Sequence, residues 1–113
     1  MTPALYRVIW YDRVDHQNWH SLVFARSAEE AAFEWKIAFD SGTVRHIPSD
    51  EDRKYTKPRD IVPCPFAEEK ELYRWFGDTS IVHDSNSIEG NVVITFLSNR
   101  HKRAWISDFR ARS

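Results

Sequence analysis

Cysteine and glycine are scarce in this chain, and each scarcity excludes something. With Cys64 alone, no internal disulfide can form, and a reducing compartment, the cytoplasm, is the expected setting. Three glycines, Gly42, Gly77 and Gly90, leave no glycine-rich loop to cradle a phosphate. The longest uncharged apolar run is about seven residues, far short of the ~20 that a membrane-spanning helix needs. The start, "MTPALYRVIWYDR", has neither the basic leader nor the apolar core of a secretion signal. Net charge is also small, with 16 Lys and Arg against 17 Asp and Glu, whereas a dedicated nucleic-acid binder is usually basic overall.

What the chain does have is aromatic residues and an uneven distribution of charge. Five tryptophans (Trp10, Trp19, Trp35, Trp75, Trp105) are many for 113 residues. A domain of this length needs most of them in its core, because aromatic rings carry large burial energies. Residues 99–113 carry five bases and one acid, leaving the rest of the chain clearly acidic. Binding follows the local field, so this asymmetry points to the C-terminal stretch as a surface.

The pattern of apolar residues predicts an α+β domain over residues 1–113. "LYRVIWY" and "WHSLVFAR" read as a hairpin of two strands, with Tyr6, Val8 and Trp10 on one side and Leu5, Arg7, Ile9 and Tyr11 on the other. "SAEEAAFEWKIAFDSG" reads as a helix: Ser27 and Glu30 form a capping box, Ala28, Ala31, Ala32, Trp35, Ala38 and Phe39 make an apolar stripe, and Gly42 ends it. "TVRHI" is expected as a third strand, completing a ββαβ opening, and residues 49–60 as a charged loop inside the domain. "PFAEEKELYRWFG" reads as a shorter helix, with Leu72, Tyr73 and Phe76 apolar. "TSIVHD" and "NVVITFL" follow as strands, "NRHK" as a turn and "RAWISDF" as a returning strand. The expected architecture is thus two helices on one face of a mostly antiparallel sheet, closed by a C-terminal antiparallel hairpin.

The candidate site lies in that hairpin. Arg100, His101, Lys102 and Arg103 would project from its turn, and Trp105 and Arg110 would follow on the return strand. Arginine and tryptophan are favoured anchors of protein interfaces, and the same types serve nucleic acid through phosphate contacts and stacking. Trp19, beside the first turn, is the other tryptophan expected at the surface. An acidic or groove-like protein partner is the first expectation. Nucleic acid is the alternative, and a small toxin-like nuclease using His83 or His101 is the third reading. A second copy of the chain through an edge strand is a further expected partner.

No catalytic residue, metal or cofactor is assigned. His16 and His20 have the H-x-x-x-H spacing, but they flank a hairpin turn and lack the glutamate of a zincin motif. Cys64 lies between Pro63 and Pro65 and reads as a buried structural thiol.

The segment "HSLVFARSAEEAAFEWK" resembles the strand-then-helix turn of many small phage and mobile-element proteins. In size and in order of elements, residues 6–47 are similar to the small phage inhibitor of host RNA polymerase and to several anti-CRISPR proteins. The resemblance carries no site residues. It implies a small inhibitor that acts by surface contact. "RWFGDTSIVHDSN" is also similar to a segment of some phage-borne ADP-ribosyltransferase-like proteins, but the cofactor-holding Tyr-His-Gly-Thr turn does not follow it.

Overall fold

The structure is a computed structural model that describes residues 2–44, 49–77, 86–87 and 93–113. Its elements are β1 (Ala4–Asp12), β2 (Gln17–Ala25), α1 (Ala28–Asp40), α2 (Asp50–Tyr55), β3 (Pro58–Pro63), α3 (Phe66–Phe76), β4 (Asn86–Ser87), β5 (Val93–Phe96) and α4 (Asn99–Arg112). The fold is α+β, with one sheet in the order β3-β1-β2-β5-β4. The neighbours pair antiparallel except β2 and β5, which run parallel.

The first hairpin forms with the expected division of sides. Trp10 pairs with Trp19, Val8 with Ser21 and Tyr6 with Val23 on one side of the sheet, while Leu5 pairs with Phe24 and Arg7 with Leu22 on the other. Its turn is held by Asp12, whose Oδ1 accepts from the Val14 and Asp15 amides at 2.9 and 3.2 Å, an Asx turn. His16 takes the left-handed conformation there (φ 54°), so its spacing from His20 belongs to the turn.

Helix α1 also follows the sequence. Ser27 Oγ accepts from the Glu30 amide at 3.1 Å, and Gly42 has φ 79° just past the helix end. Glu30 does not close the capping box; its carboxylate accepts from Arg26 Nε at 3.1 Å instead.

Helices cover both faces of the sheet, not one. Alternate positions of β1 and β2 are apolar on both sides, so both must be buried. Helix α1 packs Ala31, Trp35 and Phe39 on Val8, Trp10, Val23 and Ala25, with the Trp35 and Phe39 rings stacked 4.9 Å apart. On the opposite face, Leu72, Phe76, Trp105 and Phe109 of α3 and α4 pack on Leu5, Leu22, Ile94 and Phe96.

Three further expectations need correction. The C-terminal hairpin is helix α4, from Asn99 to Arg112. Ser98 caps it, with its Oγ accepting from the His101 amide at 3.3 Å, and His101, Trp105 and Phe109 recur every fourth residue on its buried side. The loop at 49–60 contains α2 and the start of β3. Ser49 caps α2, acids fill its first turn and Arg53 and Lys54 its last, an order that suits the helix dipole. Thr43 and Val44 are not a strand, and the rest of "TVRHI", like "TSIVHD", lies outside the described residues.

The outer strand β3 is one edge of the sheet. Pro58 and Pro63 have no amide hydrogen to give, and the Ile61 amide donates to Asp60 Oδ1 at 2.9 Å.

Candidate functional site

Helix formation sorts the expected site residues into two sets. His101, Lys102 and Trp105 turn inward and are buried. Arg100, Arg103 and Arg110 turn outward and are exposed. A 3.6-residue period places these three within one stripe, with the small Ala104, Ser107 and Ala111 exposed among them. Trp19 joins neither set. It lies on the opposite face of the sheet, half-buried and stacked on Trp10 at 5.9 Å.

Much of the C-terminal charge is engaged within the fold. Arg100 Nη2 donates to Glu34 Oε1 at 3.0 Å, yet its side chain stays 73% exposed. Arg110 Nε donates to the Tyr73 hydroxyl at 2.8 Å. Arg112 donates to Asp108 at 2.6 Å and to Glu69 at 2.7 and 3.3 Å. Glu69 is itself buried and also accepts from Trp105 Nε1 at 2.8 Å. Trp105 is therefore a core anchor that ties α4 to α3, and it is not an interface residue. Lys102 runs its stem inward and ends 6.0 Å from the centre of the Phe76 ring.

Beside the start of α4 lies a groove of about 370 Å³. Phe33, Glu34 and Ile37 of α1 form one wall, and Leu97, Arg100 and His101 the other. Phe33 and Ile37 are 66% and 54% exposed. The sequence carried a signal for them: two large apolar residues four apart, off the buried stripe of α1. His101 closes the groove floor. Its Nδ1 lies 3.1 Å from the Phe24 carbonyl oxygen, and its Nε2 lies 3.0 Å from Glu34 Oε2. Burial lowers the His101 pKa, against the opposing pull of the Glu34 carboxylate.

No protein-family model matches the chain, and no curated protein or solved structure is significantly similar to it.

Of the remaining candidates for chemistry, Cys64 is half-buried. Cys64 has its thiol pushed up to about 11, chiefly by burial, which leaves almost no thiolate at neutral pH. Among the described residues, no three His, Cys, Asp or Glu side chains converge as metal ligands. His83 lies outside the described residues. No helix among the described residues is long and apolar enough to cross a membrane.

His20 makes the sheet acid-sensitive. It is buried, and burial together with the Arg7 charge lowers its pKa from 6.5 to about 4. The unfolded chain therefore takes up a proton first as pH falls. The stability that depends on neutral His20 is complete above about pH 6.5 and is lost progressively towards pH 4. The loss amounts to roughly 3 kcal/mol from this group. Urea unfolding at a series of pH values should show this slope, and His20→Gln should flatten it between pH 6.5 and 4.5. An unchanged slope would place the acid sensitivity on the carboxylates.

Proposed function

We propose that this chain is a non-enzymatic binding protein that contacts another protein through the outer face of α4 and the adjoining groove. The observation that carries the reading is the exposure of Phe33 and Ile37 directly beside Arg100. Large exposed apolar side chains with arginine at their rim have the composition of an interface anchor. The partner that fits presents an apolar side chain to the groove and an acidic run to Arg100, Arg103 and Arg110. The bases would steer its approach and the groove would hold it. The likeness of residues 6–47 to small phage inhibitors fits a role in blocking the partner, in the cytoplasm of a host cell. The same arginine stripe favours nucleic acid as the second reading, because phosphates accept from the same donors.

Affinity capture from cytosolic lysate tests the proposal, with and without nuclease. A nuclease-resistant partner should be retained by the wild type and weakened at least about 10-fold by Phe33→Asp or by Arg103→Glu. Both positions are exposed, so each change should alter stability by less than about 0.5 kcal/mol. Equal recovery by all variants would overturn the proposal. Recovery lost both on nuclease treatment and in Arg103→Glu would assign the α4 face to nucleic acid.

A further inference from the structure

The residues that join the first hairpin to α2 and β3 make a second surface. His101 and its groove sit beside the Phe24 end of β2, whereas Tyr11 and Arg13 lie at the turn end of the same hairpin. A cleft of about 360 Å³ opens there, lined by Tyr11, Arg13, Tyr55, Lys57, Pro58 and Arg59. Three of these six are cations, two are tyrosines and none is an acid.

The fold builds this cluster deliberately. Ile9 pairs with Asp60 but Trp10 pairs with Pro58, so Arg59 is the extra residue of a β-bulge. A bulge re-aims the side chain it carries. Here Arg59 lies over the Tyr11 ring, with its guanidinium carbon 4.8 Å from the ring centre. Helix α2 delivers the other half. Arg13 lies over Tyr55 at 5.3 Å, and Lys54 approaches the same ring at 5.7 Å. Tyr11 is steadied from behind by His16, whose Nδ1 lies 3.1 Å from the hydroxyl. Asp52 lies 3.8 Å from Arg13 Nε, and no acid lines the cleft itself.

We propose that this cleft binds single-stranded nucleic acid, taking one nucleotide unit with its base against Tyr55. Its volume lies within the range of about 300–1,000 Å³ typical of ligand pockets. Arg13, Lys57 and Arg59 supply donors for backbone phosphates. Tyr55, 56% exposed, supplies a flat face on which any base can stack. That combination recognises a strand by charge and stacking, with little dependence on sequence. An acidic peptide would satisfy the cations but would bring no base to stack on the exposed Tyr55. A duplex keeps its bases stacked on one another and withholds them from Tyr55.

Fluorescence anisotropy of a labelled oligothymidylate, titrated with the full chain at low salt, tests the site. Binding should weaken with salt, with a log–log slope of about 2 for three phosphate contacts on a single strand. Tyr55→Ala should weaken it about 10-fold through lost stacking. Arg59→Ala should weaken it by a similar factor, and Arg59→Lys should recover only part of the loss, because lysine cannot match the planar fork of the guanidinium. Arg74→Ala, exposed on α3 away from both surfaces, should leave strand binding unchanged. An abasic oligomer that binds as tightly as oligothymidylate would overturn the proposal. So would equal competition by polyglutamate, by duplex DNA or by free thymidine monophosphate, or affinities unaffected by both Tyr55→Ala and Arg59→Ala. Far-ultraviolet circular dichroism of each variant guards against reading misfolding as lost binding.

Discussion

Trp105→Ala will destabilise the protein by about 3–5 kcal/mol, the usual cost of removing a large aromatic side chain from a core. Trp105 is fully buried. Its ring lies 5.2 Å from Phe96, 5.7 Å from Phe109 and 6.0 Å from Tyr73. Truncation would open a cavity between the sheet and both C-terminal helices, and the rigid strands beneath it cannot collapse to fill it. Denaturant unfolding followed by circular dichroism is the check. A cost below about 1 kcal/mol would mean that the ring faces solvent and that residues 99–112 do not pack as α4. Arg103→Ala, on the outer face of the same helix, should change stability by less than about 0.5 kcal/mol.

The second large effect is expected at Glu69. Glu69→Ala should cost about 3 kcal/mol, and Glu69→Gln only about 1 kcal/mol. The alanine change leaves the buried Trp105 Nε1 without its acceptor at 2.8 Å, a penalty of about 1–3 kcal/mol. It also removes the bond to Arg112, but that side chain is 39% exposed and keeps Asp108. Its share is therefore at most about 1 kcal/mol. Glutamine retains a carbonyl oxygen for the indole and gives up mainly the charge. If alanine and glutamine prove equally costly in denaturant unfolding, the indole bond contributes nothing and α3 and α4 are held by apolar packing alone.

Local signals made part of the architecture legible. Ser27, the alanine-rich stripe with Trp35 and Phe39, and Gly42 each bear on neighbouring backbone within a few residues, and α1 formed as their spacing predicts. The β1–β2 hairpin did so too, because alternation and turn chemistry act over short range. Helix α4 was misread for a definite reason. "RAWISDF" satisfies a strand's β-branched and aromatic composition, while Ser98 with His101, Trp105 and Phe109 satisfies a capped helix. Two local patterns competed, and burial against Phe96 and Leu72 selects the one with period four. Helix α2 hid behind its charges, although Ser49 followed by Asp52 is itself a capping signal.

The candidate site was legible in charge but not in geometry. Arg100, Arg103 and Arg110 remain exposed, as a basic C-terminal stretch implies. Phe33 and Ile37 share a groove with Arg100 only because α1 and the start of α4 meet there, a contact between residues more than sixty positions apart.

The sequence by itself determined the α+β class, the first hairpin and α1, since propensity, capping and periodicity are properties of neighbouring residues. Tertiary structure alone decided that Trp105 serves the core, that Glu69 is a buried acceptor, and that Tyr11, Tyr55 and Arg59 converge. Those outcomes depend on which distant side chains exclude water from one another. Burial against a partner far along the chain fixes them, and no local pattern encodes it.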